Sequence, residues 1–529
     1  MEVFKCGLDS PIVETTKGKL RGYYFNGVNI FQGIRYAKAK RFEMPQPVDA
    51  WEGVKDAVSY GMICPVLSQP MPAGEVMTPH RFWPTSEHCQ YLNVWTNSLD
   101  KEAKKPVMFW IHGGGFFSGS SIEQECYDGF NLAKMDDVVF VSVNHRLNAF
   151  GYLDIADFGI EKYKNACNVG MADLVEALRW VRDNIAQFGG DPENVTIFGQ
   201  SGGGEKVTAL GQIPEAEGLF AKAIVMSGVY MDGALDDAAV VDAKAFVEKI
   251  MDVLNIEDHD VEKLAKVPSA QYIWAVNKAL VYFDKQGKKV EWAPKANDYY
   301  TGSPLAAGFS EFSLKVPTMV GTVIGEFGFP LPTAKRDTLS EEERVKIVKD
   351  FYGEEGGTAI IKAFRENYPN TDLVYATDLE TMFLPSTVKY VKKKAAEASA
   401  PVYNYMFAKI FDYDTGRAAW HCSDIPYFLH NAEMIPICHQ TNYEFLNRVM
   451  SGAFVNFART GNPNVEGLPK WQPCTKDHMV TMVFDDTCYT KENMQDELLP
   501  LVLKYKPPFK FEIPVEDPDS DEGGNAWVF

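Results

Sequence analysis

The sequence predicts an α/β protein in which a mainly parallel central sheet is covered by helices. Three observations support this fold class. Apolar, β-branched runs of strand length recur along the chain, helical stretches alternate with them, and the apolar fraction of 46% is large enough for an extensive core. The runs expected to form strands are residues 107–111, 138–143, 195–198, 223–226, 316–324 and 402–407.

Residues 1–529 are expected to form a single domain. Length alone would allow three domains, but large α/β enzymes often form one unit, and no linker or repeat interrupts the chain. Two mixed helical stretches, about 231–313 and 330–400, are longer than a crossover between parallel strands requires, so we expect helical insertions there. The acidic end, about 515–529, is expected to be a solvated tail.

Ser201 is the candidate nucleophile. It lies in the sequence GQSGG at residues 199–203, directly after the β-branched run 195–198. This pattern predicts a nucleophile elbow, a sharp strand-to-helix turn that lifts the serine oxygen clear of its strand. The flanking glycines allow the strained backbone that such a turn needs. The alternative is an ordinary turn that contains two glycines and a serine by chance.

A second glycine-rich segment precedes the serine in the chain. The sequence HGGGF at residues 112–116 follows the apolar run 107–111 and exposes successive backbone amides. In acyl-transfer enzymes such a loop supplies oxyanion donors together with the amide after the nucleophile. The candidate oxyanion hole is therefore Gly114, Gly115 and Gly202; the alternative is a flexible glycine turn.

The chain resembles the type-B carboxylesterase and cholinesterase family of α/β-hydrolases over nearly its whole length, and within it the microbial para-nitrobenzyl-esterase-like carboxylesterases. The resemblance is carried by these stretches: FQGIRYA at 31–37, WEGV at 51–54, SEHCQYLNV at 86–94, NHRL at 144–147, NVGMAD at 168–173, FGGDP at 188–192 and FARTGNP at 457–463. It implies the α/β-hydrolase fold, with the helical insertions walling an active-site gorge. It also implies a serine hydrolase that cleaves carboxylic esters through an acyl-enzyme intermediate.

A serine needs a histidine to accept its proton and a carboxylate to orient that histidine. In this fold the order along the chain is serine, acid, histidine, so only histidines after Ser201 qualify. His421 matches the histidine loop of the family. His259 lies in a charged run typical of a solvated helix start, and His478 precedes a predicted edge strand.

Glu326 is the candidate acid, two residues after the predicted strand 316–324. The resemblance implies this role, although the family usually has an acidic residue before this glutamate and a glycine after it. Here Gly325 and Phe327 flank it. Asp424, three residues from His421, is the rival acid, but such neighbours usually hydrogen-bond the backbone or a helix start.

The residues on either side of Ser201 also depart from the family pattern. Gln200 replaces the usual glutamate before the serine, and the glycines at 202–204 replace a sequence that usually contains alanine. Glutamine still donates and accepts hydrogen bonds, so we expect activity to be retained. The resemblance also implies internal ion pairs, which join Arg41 to Glu87 and Arg146 to Asp173.

The formal net charge of -20 opposes binding to nucleic acid. No stretch is long and apolar enough to span a membrane, and residues 1–5 lack the features of an export signal. We expect a cytoplasmic enzyme, or a secreted one if a leader has been removed. Nine cysteines suit a reducing compartment, although Cys64 and Cys89 fall where the family often has a disulfide.

The expected partners are a small-molecule ester and water, with no cofactor and no metal. The oligomeric state is left open. One alternative is a catalytically inactive, cholinesterase-like binding or adhesion protein, because the same fold serves that role in relatives. A second is that the same triad acts on amides, carbamates or lactones.

Overall fold

The computed structural model describes residues 3–67, 81–230, 239–327, 336–412, 416–440, 442–506 and 518–519. The chain divides into two compact units. Among the described residues, unit 1 comprises 3–67, 81–221, 230, 239–310 and 518–519, and unit 2 comprises 222–229, 311–327, 336–412, 416–440 and 442–506. Both units contain parallel strands and helices.

The described strands of unit 1 are β1 (Phe4–Lys5), β2 (Ile12–Glu14), β3 (Lys19–Arg21), β4 (Tyr23–Phe25), β5 (Val28–Arg35), β6 (Ala37–Lys38), β7 (Gln46–Pro47), β8 (Val54–Asp56), β9 (Tyr91–Thr96), β10 (Lys105–Ile111), β11 (Val139–Val143) and β12 (Gly190–Gln200). The central order is β1-β4-β5-β9-β11-β10-β12, and β2-β3-β8 and β6-β7 form small separate sheets. Strands β11, β10 and β12 are parallel, and β9 is antiparallel to β11. All residues of β10 and β11 are buried, as expected for parallel strands covered on both faces.

The helices of unit 1 in the described residues are α1 (Phe130–Met135), α2 (Asn148–Gly151), α3 (Val169–Asn184), α4 (Gly202–Leu210), α5 (Ala243–Val253), α6 (Val261–Leu264), α7 (Ser269–Asp284) and α8 (Pro304–Ala307). Helix α3 is buried along most of its length. Helices α5 to α7 contribute apolar residues to one cluster with the segment after β11, in which Phe150 and Tyr272 are buried and in edge-to-face contact. The first predicted insertion therefore packs in an apolar cluster that it shares with the segment after β11.

The described strands of unit 2 are β13 (Lys222–Met226), β14 (Thr318–Val323), β15 (Val402–Phe407), β16 (Ile410–Phe411), β17 (Arg417–Ala418), β18 (Val480–Phe484) and β19 (Tyr489–Glu492). Strands β13, β14, β15 and β18 run parallel in this order, and β19 pairs with β18 antiparallel. Strands β16 and β17 form a two-stranded antiparallel ribbon.

The helices of unit 2 in the described residues are α9 (Glu341–Asn367), α10 (Leu384–Glu397), α11 (Ile425–Phe428), α12 (Tyr443–Thr460) and α13 (Gln495–Tyr505). Helix α9 begins with a capping box between Ser340 and Glu343. It is interrupted at Gly353, whose φ of 78° is not helical. Glycine adopts this conformation without the steric cost of a side chain, so the helix bends there.

The predicted strands are all present. The boundaries agree within a few residues, apart from two differences. The run predicted at 195–198 belongs to the longer strand β12, and the run predicted at 316–324 is shortened to β14. Pro317 has no amide proton to donate, so regular pairing begins at Thr318.

Helices occupy both predicted insertions, with α5 to α8 inside 231–313 and α9 and α10 inside 330–400. Residues 231–238 and 330–335 of these insertions lie outside the described residues. The predicted acidic tail also lies outside them, apart from Pro518 and Asp519. The single-domain organisation stays a prediction.

Two ion pairs in unit 1, one partly buried and one fully buried, join the residues that the family resemblance paired. Arg41 makes two hydrogen bonds to Glu87, of 2.7 and 3.0 Å. Arg146 makes side-chain hydrogen bonds of 2.7 and 2.8 Å to Asp173, which also accepts the backbone N–H of Arg146 at 3.0 Å. Such forked contacts compensate for removing both charges from water.

In the ranges that the structure covers, no helix combines the length and apolar character needed to cross a membrane. The same ranges contain no cluster of three or more histidine, cysteine or acidic side chains arranged to bind a metal ion.

Candidate active site

Ser201 lies between the end of β12 and the start of α4 in unit 1. Its backbone has φ 56° and ψ −129°, a conformation that costs free energy for any residue with a side chain. The Ser201 carbonyl accepts the first hydrogen bond of the helix, from the N–H of Glu205 at 3.0 Å. The chain thus turns from strand to helix at one residue, which is the geometry predicted for a nucleophile elbow.

The glycines of this turn are required by close backbone approach. A Cβ atom on Gly199 would lie 2.5 Å from the carbonyl carbon of Gly203. A Cβ atom on Gly203 would lie 2.1 Å from the carbonyl oxygen of Ile111. The spacing of the two glycines around Ser201 therefore allows the helix to fold back over its own strand and the neighbouring one.

The glycine loop (residues 112–116) lies at the same edge of the sheet as the serine. Strands β10 and β12 are adjacent and parallel, with Ile111 opposite Gly199, so their carboxyl ends meet at one edge. Gly114 and Gly115 have φ values of 85° and 58°. Two consecutive residues in this region turn their amides in directions that residues with side chains rarely allow.

Gly202 packs directly against the glycine loop. A Cβ atom on Gly202 would lie 2.2 Å from the carbonyl oxygen and 2.4 Å from the nitrogen of Gly115. A Cβ atom on Gly113 would lie 3.4 Å from the Cβ of Ser201. The structure therefore brings Ser201 and the three predicted donor glycines together. It also gives a steric reason for glycine where the family usually has alanine.

A group of buried basic side chains, one in the glycine loop and two beside it, was missed by sequence reasoning. His112, His145 and Lys206 have almost no exposed surface. Lys206 Nζ lies 2.5 Å from the carbonyl oxygen of Gly115 and 3.5 Å from that of His112. Burial lowers the pKa of Lys206 to about 7, opposed by the neighbouring Glu205 carboxylate. No signal in the sequence indicated this contact, because Lys206 follows Glu205 in a charged pair of the kind that is common on exposed helices.

The two histidines of this group are neutral. Burial, reinforced by the charge of Lys206, lowers the pKa of His112 to about 3. Burial also holds the pKa of His145 well below its ordinary value. The two rings meet edge to face with centroids 4.8 Å apart. The two rings therefore contribute to packing and do not act in proton transfer.

Glu326 and His421 lie together in unit 2. The distance from His421 Nδ1 to Glu326 Oε2 is 2.5 Å, and the Glu326 side chain is completely buried. The other carboxylate oxygen of Glu326 accepts the N–H of Val323 at 3.1 Å, and the His421 N–H donates to the Glu326 carbonyl at 3.0 Å. The carboxylate is thereby fixed in position, and it can fix the tautomer and orientation of the imidazole.

The residues that flank Glu326 differ from the family pattern for structural reasons. A Cβ atom on Gly325 would lie 2.8 Å from the carbonyl oxygen of Ala419, which disfavours the usual acidic residue there. Phe327 contacts the His421 ring with centroids 4.4 Å apart. Phe383 stacks on the same ring at 5.0 Å and an interplanar angle of 7°. These two phenylalanines shield the imidazole and limit its rotation.

The rival acid Asp424 has a different partner. Its Oδ2 accepts the hydroxyl of Tyr405 at 2.9 Å, whereas the carboxylate hydrogen-bonded to His421 is that of Glu326. Burial, followed by the charge of Glu326, raises the pKa of Asp424 to about 7. Asp424 therefore holds its proton more strongly than an ordinary aspartate does.

Glu380 is a second buried carboxyl group that sequence reasoning missed. Its carboxylate accepts the backbone N–H groups of Met382 at 2.6 Å and Phe383 at 2.9 Å. Burial, followed by the charge of Glu326, raises the pKa of Glu380 to about 8. Glu380 therefore holds the backbone of the segment whose Phe383 stacks on His421.

Three other histidines that follow Ser201 have partners at the surface. His259 Nε2 contacts Asp252 Oδ1 at 2.8 Å on the exposed surface. His439 Nε2 lies 2.6 Å from the carbonyl oxygen of Glu433. The His478 side chain is 62% exposed. These three histidines lie at the exposed surface, whereas His421 contacts the buried carboxylate of Glu326.

Comparison with known proteins gives a consistent result. The sequence profile of the carboxylesterase family matches residues 9–499. Para-nitrobenzyl esterase of Bacillus subtilis (strain 168) is 31% identical over 499 residues, which cover 92% of this chain and 97% of that protein. A solved esterase from the anaerobe Clostridium hathewayi is 44% identical, with a TM-score of 0.90 over 96% of this chain and all (100%) of that one. A solved PNB esterase is 29% identical, with a TM-score of 0.71 over 93% of this chain and 100% of that one.

The fold and the site define a serine hydrolase of the α/β-hydrolase fold. The chain belongs to the carboxylesterase family, and it is a carboxylic ester hydrolase. Both agree with the resemblance found in the sequence. Nothing in the comparisons favours the inactive binding-protein alternative.

Proposed function

We propose that Ser201, His421 and Glu326 are the catalytic triad with which this enzyme cleaves carboxylic esters. The observation that carries the proposal is the 2.5 Å contact between His421 Nδ1 and the buried carboxylate of Glu326. The strained backbone of Ser201 supports it, because strain of this kind is concentrated at functional sites. Membership of the carboxylesterase family supports the order of the three residues along the chain.

In the proposed reaction, Ser201 Oγ attacks the ester carbonyl carbon while His421 Nε2 takes the hydroxyl proton. The carbonyl π electrons move to oxygen, which becomes the oxyanion of a tetrahedral intermediate. That intermediate collapses, the bond to the alcohol oxygen breaks, and His421 returns the proton to the leaving alcohol. Water then attacks the acyl-enzyme by the same route, with His421 as base, and releases the carboxylic acid.

The amides of Gly114, Gly115 and Gly202 are proposed to hold the oxyanion. The close packing of Gly202 against Gly115 supports this role, because donors from two elements must converge on one oxygen. In other acyl-transfer enzymes, loss of one such donor lowers kcat by about a hundred- to thousandfold. The three donors together are therefore expected to supply a large part of the rate enhancement.

The first test is the substitution Ser201→Ala, assayed with p-nitrophenyl esters of short and medium acyl chains. The serine oxygen forms the acyl-enzyme. We therefore expect kcat of Ser201→Ala to fall to the low residual rate that the oxyanion hole supports without a nucleophile, and any pre-steady-state burst to disappear. The matched control is Ser340→Ala, which removes an exposed helix cap and is expected to lower stability by about 1 kcal/mol without changing kcat. A folded Ser201→Ala enzyme that keeps its wild-type turnover would refute the proposal.

Among carboxylic esters, we infer that aliphatic aromatic polyesters are candidate substrates. The support is the 44% identity to the Clostridium hathewayi esterase, which can hydrolyse aliphatic aromatic polyesters. The test is release of aromatic acid from a polyester film by the wild type, with Ser201→Ala as the control. Release equal to that of the Ser201→Ala enzyme would exclude these polymers, while soluble p-nitrophenyl esters would still be cleaved.

The same triad is able to attack amides, carbamates and lactones, since each offers an acyl carbonyl carbon. An ester places a better leaving group on that carbon than an amide does, so we expect kcat/KM to be highest for esters. Paired ester and amide substrates with the same acyl group measure the preference directly. A higher kcat/KM for the amide would reverse this order.

We further infer a cytoplasmic location from the thiols. Nine is an odd number of cysteines, and Cys64 and Cys89 are buried as free thiols where relatives often have a disulfide. Burial, followed by a hydrogen bond from the Cys89 thiol to Cys64, raises the pKa of Cys89 well above its ordinary value. Reducing compartments preserve such thiols. Mass spectrometry after alkylation without reductant is expected to find Cys64 and Cys89 alkylated; a bridged pair would contradict the inference.

The proposed partners are a small ester and water. The net charge of -20 supports the absence of nucleic-acid binding, because phosphates are repelled by an acidic surface.

A further inference from the structure

A buried lysine connects the two elements that carry the proposed oxyanion donors. Lys206 belongs to α4, the helix that begins with Gly202, and its side chain has no exposed surface. Its ammonium donates to the carbonyl oxygen of Gly115 at 2.5 Å and to that of His112 at 3.5 Å. Burial of a charged ammonium is costly unless hydrogen bonds replace its water. These carbonyl contacts therefore compensate for burial and join the helix to the glycine loop.

The two carbonyls that Lys206 contacts lie on either side of Gly113 and Gly114. Glycines permit many backbone conformations, so the amides between the two contacts are not held in one orientation by their own sequence. Fixing the carbonyl before this segment and the carbonyl at its end restrains the peptide planes between them. The positive φ values of Gly114 and Gly115 are the conformation that is restrained.

Other groups around the ammonium keep it in place. The Phe116 ring lies below it, with Nζ 5.4 Å from the ring centroid, which is within range for a cation–π contact. The charges of Glu205 and Glu123 act on it in the direction that favours the ammonium form. The Lys206 side chain is thus held by the loop, by an aromatic ring and by nearby carboxylates.

We propose that Lys206 is a positioning residue, which ties the glycine loop to α4 and holds the donors of Gly114, Gly115 and Gly202 in register around one oxygen. The inference rests on the proposed function of these glycines as the oxyanion hole. Lys206 does not touch the substrate. It acts through the carbonyl groups of the loop, and its effect is greatest when negative charge develops on the substrate oxygen.

The test is Lys206→Met, which preserves the length and most of the volume of the side chain and removes its donors. We expect kcat/KM for p-nitrophenyl butyrate to fall about tenfold to hundredfold, less than the loss of a whole oxyanion donor would cause. The inhibition constant of a trifluoromethyl ketone is expected to rise by the same factor, because its adduct with Ser201 carries a tetrahedral oxyanion. The methyl ketone of the same skeleton stays planar, and its inhibition constant is expected to change by less than about twofold.

Lys394→Met is the matched control. Lys394 is also buried, its Nζ donates to Thr318 Oγ1 at 2.7 Å, and burial lowers its pKa to about 7. Its loss tests whether removing any buried lysine impairs the enzyme. We expect kcat/KM and both inhibition constants of Lys394→Met to stay within about twofold of the wild type. Lys206→Gln, which keeps a donor on a shorter chain, is expected to lose less activity than Lys206→Met.

Three outcomes would overturn the proposal. One is a Lys206→Met enzyme with wild-type kcat/KM and a wild-type inhibition constant for the trifluoromethyl ketone. Another is an equal loss of affinity for both ketones, which would indicate general damage to the pocket. The last applies if Lys206→Met does not fold. In that case the proposal is overturned if Lys206→Gln has wild-type kcat/KM and the wild-type ratio of inhibition constants for the two ketones. Failure of the proposed function is distinguishable from all three, because Ser201→Ala would then remain active.

Discussion

The chemistry of individual residues is decided by burial and by specific hydrogen bonds. Glu326 and Asp424 are both buried carboxyl groups close to His421 in the sequence or in space. Their hydrogen-bond partners distinguish the two residues. The carboxylate of Glu326 contacts His421 Nδ1, whereas that of Asp424 accepts a hydrogen bond from the hydroxyl of Tyr405. Identical functional groups are thus directed to different roles by their immediate neighbours.

Glu326→Gln is expected to lower kcat by about a thousandfold or more, because an amide neither stabilises the imidazolium nor selects the required tautomer. The substitution keeps the shape of the side chain, so the fold is expected to persist. The measurement is kcat for p-nitrophenyl butyrate, with circular dichroism to verify folding. Turnover within tenfold of the wild type would remove Glu326 from the triad.

Asp424→Asn is the control for this prediction, with kcat expected to fall by less than about tenfold.

The effect of Asp424→Asn is expected in the pH dependence of the free energy of unfolding. The pKa of Asp424 is raised to about 7 by burial, so between about pH 4 and 7 the native state holds a proton that the unfolded state has released. Wild-type stability therefore falls over this range relative to Asp424→Asn. Thermal unfolding of both proteins at pH 5, 6 and 7 measures the difference; parallel curves would contradict it.

At the residue scale, the sequence predicted the candidate nucleophile and base but not the groups that support them. Ser201 lies in a local motif, and His421 is selected by chain order and by family resemblance. Lys206 and Glu380 have no such signal, because their importance depends on burial that only the packed chain creates. Phe327 looked like a departure from the family pattern, and its ring contact with His421 gives it a structural role.

At the scale of elements, the candidate site depends on the close approach of helix α4 to the end of strand β10. Helix α4 begins where β12 ends and passes close to the end of β10, which leaves no space for side chains on Gly202 and Gly203. The strands were predictable because buried parallel strands are continuous apolar runs. The closeness of the helix to the glycine loop was not predictable, since it depends on contacts between distant segments of the sequence.

Gly202→Ala is expected to lower kcat by about tenfold or more. The new Cβ would lie 2.2 to 2.4 Å from backbone atoms of Gly115, so the loop or the helix must move, and the loss of one well-placed donor is worth about a hundred- to thousandfold. The measurement is kcat for p-nitrophenyl butyrate together with the melting temperature. An enzyme with unchanged kcat would show that the loop accommodates alanine without losing its donors.

Gly452→Ala is the matched glycine substitution within a helix. Gly452 lies inside α12, and its Cβ would meet Val465 at an ordinary contact distance of 3.9 Å. We expect unchanged kcat and a gain in stability of about 0.5–1 kcal/mol, because alanine loses less backbone entropy on folding. A fall in kcat for this variant as well would show that the assay responds to any glycine substitution.

For the whole molecule, the dominant property is negative charge. The chain has 72 acidic and 52 basic side chains. Many of the basic groups are engaged in surface ion pairs, which are individually worth little. An excess of acidic groups favours solubility and at the same time destabilises the compact state through repulsion between like charges. Composition alone established this property.

Added salt is therefore expected to stabilise the protein at pH 8. The Debye length is about 30 Å at 0.01 M salt and about 10 Å at 0.1 M, so raising sodium chloride from 0.01 to 0.15 M screens repulsion across the surface while barely affecting buried pairs such as Arg146–Asp173. We expect the melting temperature to rise by about 1 to 3 °C. At pH 5.0, where the net charge is close to zero, the rise is expected to disappear. A melting temperature that falls with salt at pH 8 would show that the attraction within exposed ion pairs outweighs the repulsion between like charges. An equal rise at both pH values would show that salt acts by strengthening apolar burial rather than by screening charge.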